Sequence, residues 1–210
     1  MHLQPAADTT DLAAVAQLGS RPTDGEVCEL CGAGIGRAHP HLVDPTGQQI
    51  VCACAVCSTL FSARAGSRLK RVPDRAQRLD GLAWSEAEWA RFGVPVGLAF
   101  FVRQSASGDV RAWYPGPTGP LATTVPAGIW DHLVASTPTL AWLQPDVEAL
   151  LVNRGADARS PLLLVAPIDA CYRLVALWRR HWQGSGGPEA WRQVDLFLAD
   201  LLDHAGPSHD

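Results

Sequence analysis

Apolar residues recur at helical spacing most clearly towards the C-terminus. Leu174, Leu177 and Trp178 share one stripe, with Tyr172 nearby, and predict a helix from Pro167 to Trp182. After a loop at Gln183–Gly187, Trp191, Val194, Leu198 and Leu201/Leu202 fall on one face of a second helix, Pro188 to Asp203, with proline at its first position. Upstream the apolar runs are shorter and rich in branched and aromatic residues. They predict strands at Val96–Arg103, Val110–Tyr114, Leu121–Val125, Ala149–Asn153 and Leu162–Val165. Ser105–Asp109 and Pro115–Pro120 read as turns, and Arg154–Ser160 as a polar loop. Ser85 followed by Glu88 has capping-box spacing and opens a short helix with Trp84, Trp89 and Phe92 as its apolar members. Pro126 starts another helix, ending near Ser136. The sum is an α+β fold with a mixed domain of about five strands and four helices over residues 80–205.

The first third follows another logic. Residues 1–24 carry no sustained periodicity and read as a mobile tail, with Asp11–Leu18 as its one short helical stretch. Residues 25–62 are organised by cysteines around a strand at His41–Val43, a turn at Asp44–Gly47 and a strand at Gln49–Cys52. This segment predicts a small metal-binding ribbon attached to the larger domain. Residues 63–79 form a basic connector, and 206–210 a short C-terminal tail.

Composition narrows the classes. With 47% apolar and 18% charged residues over 210 positions, the chain has material for a packed core and is not a disordered segment. Met1 to Leu18 lack a basic start and an uninterrupted apolar run, so no signal peptide is expected; Pro161–Pro167 and similar runs are too short to span a bilayer. A cytoplasmic location is the expectation. In a reducing compartment, five of six cysteines gathered between positions 28 and 57 favour metal binding over disulfides.

Cys28-Glu-Leu-Cys31-Gly32 has the form of a metal knuckle. Two intervening residues let both thiolates reach one ion, and Gly32 suits the sharp turn that follows. A second pair, Cys54-Ala-Val-Cys57, follows after 22 residues, about the length of a hairpin, with Ser58 in place of the expected glycine. Cys28, Cys31, Cys54 and Cys57 are therefore the expected ligands of one ion. Zinc is the first choice, since no other redox machinery is evident. One iron atom in four thiolates, or an Fe–S cluster, fits the same donors. Cys52, two residues before Cys54, points to the same side of an extended strand. It reads as core or as a neighbour of the ligands, and otherwise as a replacement for Cys54. His39 and His41 also share a side and read as neighbours of the site or as alternative ligands.

Arg64, Arg68, Lys70, Arg71, Arg75 and Arg78 give the connector six positive charges against one acid, Asp74. Net charge is −4 overall, and no aromatic residue alternates with these arginines. Nucleic acid is therefore not the expected partner, and an acidic protein surface suits the segment better. Asp169 reads as a helix-start residue, Cys171 as a small buried apolar group, and His181 as a complement to a helix C-terminus. No P-loop, dinucleotide fingerprint, nucleophile elbow or H-E-x-x-H is present, and no enzyme is expected.

The strings C-E-L-C-G at 28–32, H-P-H-L-V-D at 39–44 and C-A-C-A-V-C at 52–57 with Leu60-Phe61 resemble an uncharacterised actinobacterial family encoded beside uptake [NiFe]-hydrogenases. Val72-Pro73-Asp74, Leu150–Arg154 and P-I-D-A-C-Y-R-L-V at 167–175 extend the likeness over residues 26–203. The resemblance implies an accessory role in maturing, assembling or wiring such a hydrogenase, with one of its subunits as the protein partner. It implies no fold and no catalytic residue.

Overall fold

The computed structural model describes residues 26–47, 49–64, 66–80, 84–116, 119–155, 161–181 and 187–203. The tails expected at 1–24 and 206–210 lie outside these residues, as does most of the Arg154–Ser160 loop. Two antiparallel sheets organise the rest. The smaller has the order β2-β1-β3, from β1 (His41–Asp44), β2 (Gln49–Cys52) and β3 (Lys70–Arg71). Helix α1 (Ala55–Ser62) follows β2 directly. The larger sheet has the order β4-β9-β8-β5-β6-β7. Its strands are β4 (Gln77–Arg78), β5 (Leu98–Arg103), β6 (Val110–Gly116), β7 (Gly119–Val125), β8 (Glu148–Asn153) and β9 (Leu162–Pro167).

Four helices and a 3-10 turn cover the larger sheet: α2 (Glu86–Ala90), α3 (Ala127–Ser136), the turn Pro138–Trp142, α4 (Ile168–His181) and α5 (Pro188–Asp203). All five strands expected from the sequence of this region are present, joined by β4 from the connector. The capping box of α2 forms as expected. The Glu88 backbone N–H donates to Ser85 Oγ at 3.2 Å, and the Ser85 N–H donates to Glu88 Oε2 at 2.8 Å.

Strand periodicity explains why the centre of the sheet is buried on both faces. In β5, Leu98, Phe100 and Val102 enter one core, while Ala99 and Phe101 enter the other. Leu151, Leu164 and Ala166 join the first core, beneath Leu174, Trp178, Val194 and Leu198 of α4 and α5. Leu150, Val152, Leu163 and Val165 join the second, with Trp89, Phe92, Trp130 and Leu140. This is why the interior of β8, Ala149 to Val152, reads as a continuous apolar run with no polar alternation.

The small sheet is tied to this body through β1. Leu42 points into a third cluster with Cys28, Ala53 and Cys57, whereas Val43 joins the α4/α5 core together with Val72. Adjacent residues of one strand thus serve two cores, as a period of two requires. Ion pairs reinforce the attachment. Lys70 Nζ lies 2.5 Å from Asp146 and Arg75 lies 2.8 Å from Glu148, while Arg68, 2.7 Å from Asp44, braces the small sheet itself. All three carboxylates are buried.

Candidate metal centre

The first cysteine pair sits in a tight turn. Cys28 N–H donates to Ala33 O at 2.8 Å, and Gly32 N–H donates to Cys28 O at 2.8 Å. Gly32 takes φ of +76°, and nothing lies within 4 Å of a notional Cβ. The glycine is required by backbone conformation and not by space.

The second pair is built differently, and this accounts for Ser58. Cys54 is the N-cap of α1, and its sulfur accepts the Cys57 N–H at 3.4 Å. Ser58 N–H donates to Cys54 O at 2.8 Å as the helix begins. The residue after Cys57 is therefore helical, and a glycine there would serve no purpose. Two further backbone bonds lock the halves together: Glu29 N–H to Cys52 O at 2.9 Å, and Ala53 N–H to Pro40 O at 3.0 Å.

The four sulfurs of Cys28, Cys31, Cys54 and Cys57 lie within 4.8 Å of one another. Cys31 Sγ and Cys54 Sγ are 3.9 Å apart. An ion in four thiolates at about 2.3 Å in tetrahedral array sets a sulfur–sulfur edge of about 3.8 Å. The donor set therefore fits one ion with little movement. Cys28 and Cys57 are buried, Cys54 is half-buried and Cys31 is exposed. No disulfide joins any of the six cysteines.

Electrostatics divide the four. Burial would push the Cys28 thiol up, but the backbone N–H groups of Cys54, Leu30 and Cys31 and the Cys31 side chain more than offset this and hold it at about 6. Burial, together with the sulfurs of Cys31, Cys54 and Cys28, pushes Cys57 up to about 12. Four crowded thiols do not ionise together without a cation among them, and a bound divalent ion would supply that charge.

The structure also brings together His39, His41 and Cys52, one ligand atom of each lying within 4.8 Å of the others. The hairpin register explains the meeting. His41 pairs with Cys52 across β1 and β2, so both side chains project from the same face. Asp44 sets that register by closing the turn, its Oδ1 accepting the Thr46 N–H at 3.0 Å. The predicted hairpin carried this signal, since strands joined at Asp44–Gly47 place Cys52 opposite His41. One neighbour was not legible locally. Asp169, expected only to start a helix, reaches across to His41 Nδ1 at 2.9 Å. Its carboxyl, which burial would raise, is lowered by His41 and Arg173.

The basic connector side chains are distributed unevenly. Arg68, Lys70 and Arg75 engage the buried carboxylates of Asp44, Asp146 and Glu148, while Arg78 meets the exposed Asp80 at 2.9 Å. Arg64 and Arg71 are exposed. Cys171 is fully buried, and burial pushes its thiol well above the usual range.

Fold and site define a mixed α+β protein with a four-cysteine cluster beside its smaller sheet. The chain belongs to a family of unknown function, DUF5947, whose sequence pattern matches residues 27–205. No curated protein and no solved structure matches it. No helix among the described residues is long and apolar enough to cross a membrane.

Proposed function

We propose that the protein is a non-enzymatic, zinc-binding accessory protein that acts through protein–protein contacts. In this reading Cys28, Cys31, Cys54 and Cys57 hold a structural ion in a ribbon of the zinc-ribbon or rubredoxin type. The ribbon serves as a docking module. One observation carries the docking reading: α1, which begins at ligand Cys54, leaves Val56 and Leu60 about two-thirds exposed and Phe61 40% exposed. Three large apolar side chains on one eight-residue helix form an uncovered patch of the kind that interfaces bury. Their position ties the patch to the cysteines, because the helix is capped by the metal-ligating sulfur itself.

The partner we assign is an immature [NiFe]-hydrogenase subunit, in a cytoplasmic assembly step. Support for that identity comes from the sequence resemblance alone. Purified zinc-loaded protein should bind such a subunit, and Leu60→Asp should weaken the complex at least tenfold while leaving metal content unchanged. Equal binding by the variant would sink the docking reading.

A rubredoxin-like iron electron carrier is the second reading, favoured by the Cys57 N–H that donates to the Cys54 sulfur at 3.4 Å, since such bonds tune an iron–thiolate centre. Stoichiometric iron with a reversible one-electron potential in native-host material would establish it over zinc. A nucleic-acid-binding regulator is weaker still, because Arg68, Lys70 and Arg75 are already engaged by buried carboxylates.

A further inference from the structure

We infer a second metal site, distinct from the four-thiolate cluster, formed by His39, His41 and Cys52 at the edge of an arginine-lined cleft. The three residues offer two imidazole nitrogens and one sulfur, with their ligand atoms within 4.8 Å of one another. An ion held by such donors at about 2.0–2.3 Å in tetrahedral array needs separations of about 3.3–3.6 Å. Side-chain rotation closes that gap.

Proton placement makes the case stronger than proximity. His39 Nδ1 lies 2.8 Å from the carbonyl of Gly36, and a carbonyl only accepts, so Nδ1 carries the proton. The Glu26 carboxylate, 3.1 Å from the same Nδ1, accepts there too, and in the neutral ring the other nitrogen, Nε2, is a bare lone pair. It is buried without a hydrogen-bond partner, on a side chain only 6% exposed. A buried acceptor left open in this way is uncommon in native proteins and calls for a ligand. His41 repeats the arrangement: its Nδ1 donates to Asp169 at 2.9 Å, leaving Nε2 as the available donor atom. A carboxylate or carbonyl on the far nitrogen is how metal-ligating histidines are held in one tautomer and one orientation.

Both histidines and Asp169 line a cleft of about 500 Å³, which Cys52 does not line. The ion would therefore be held from the sheet side, with its fourth position facing the cleft. Arg37 and Arg71 also line this space and form no ion pair among the described residues. The site would take a first-row divalent ion of borderline softness, zinc foremost, completed by water or by an anionic ligand drawn in by the arginines. The four-thiolate cluster is saturated by protein donors, whereas this site is open.

Full-length protein, stripped with a chelator under reducing conditions, is titrated anaerobically with Co²⁺ as a spectroscopic probe. Folding is followed by circular dichroism. The expected result is two equivalents, one with the intense thiolate-to-cobalt absorption of four sulfurs and one with much weaker absorption. His39→Ala/His41→Ala should bind one equivalent and keep the intense band, and zinc should protect Cys52 from alkylation only in the unmodified protein. Asp169→Asn should keep both equivalents but bind the weakly absorbing one roughly ten- to a hundredfold less tightly.

A single, intense-band equivalent in the unmodified protein overturns the proposal while leaving the four-thiolate reading intact. A single weak-band equivalent, lost in the double variant, does the reverse. If His41 and Asp169 instead activate Cys52 as a nucleophile, the double variant binds as much cobalt as the unmodified chain, and the site is refuted. Should the double variant fail to fold, an unchanged cobalt affinity in Asp169→Asn refutes it equally.

Discussion

Ser58 shows how one residue reports the structure around it. A glycine expected after a metal-binding pair is absent because the second pair runs into a helix and not into a turn. Ser58→Gly should therefore destabilise metal-loaded protein, by about 0.5–1 kcal/mol, since glycine loses most freedom in a helix. Gly32→Ala should cost about 1–2 kcal/mol, because φ of +76° strains any residue with a Cβ. Thermal unfolding of the two variants checks both signs; stabilisation by Ser58→Gly would show that the helical start does not matter. Among the cysteines, replacing Cys28, Cys31, Cys54 or Cys57 with serine should empty the four-thiolate site. Cys52→Ser should leave its ion in place. Elemental analysis showing the opposite for Cys52 and Cys54 would require the ligand set to be redrawn.

Elements with a strong period of their own were legible in the sequence, and elements defined by partners were not. The spacing of Trp191, Val194 and Leu198 located α5, Pro188–Asp203, at both ends. Helix α1 is not legible from pattern because Ala-Val-Cys-Ser-Thr-Leu-Phe-Ser has no polar stripe to set against an apolar one; what starts it is a sulfur cap. Strands β3 and β4 are two residues each, too short for any pattern, and exist because β1 and β9 offer them an edge. The site divides in the same way. Paired cysteines announced the cluster through their spacing, while Asp169 lies 128 residues from the histidine it holds. The segment carrying β4 is also clamped by charge, since Arg75 serves a fully buried Glu148 side chain. Arg75→Ala should cost about 1–2 kcal/mol in urea unfolding. This lies below the range for a fully buried pair, because Arg75 itself is more than half exposed.

At the scale of the whole molecule, shared cores predict shared unfolding. Val43 and Val72 pack with α4 and α5, so tryptophan fluorescence and backbone circular dichroism should report one transition in urea. Two separated transitions would show that the small sheet unfolds on its own. Acid should destabilise the whole through Asp146 and Asp169. Burial acts to raise both carboxyls, but Lys70 and Ser105 in one case, and His41 and Arg173 in the other, hold them below the usual range. A carboxyl lowered by folding contributes fully above its unfolded value of about 3.9, and that contribution is lost as pH falls through the lower folded value. Stability should therefore drop below about pH 4, and Asp146→Asn should show a shallower acid limb. An unaltered limb would mean that the Lys70 pairing contributes nothing.

The two-faced strand β1 also limits how the chain can change over evolutionary time. An insertion of one residue between His41 and Cys52 that shifted the pairing would turn Leu42 away from the cysteines and draw His41 off Asp169. Beyond Ser105, which donates to Asp146 at 2.9 Å, the Gln104–Asp109 turn joins β5 and β6 without such double duty. Aligned relatives should accordingly vary in length at that turn while keeping one fixed spacing from His41 to Cys52.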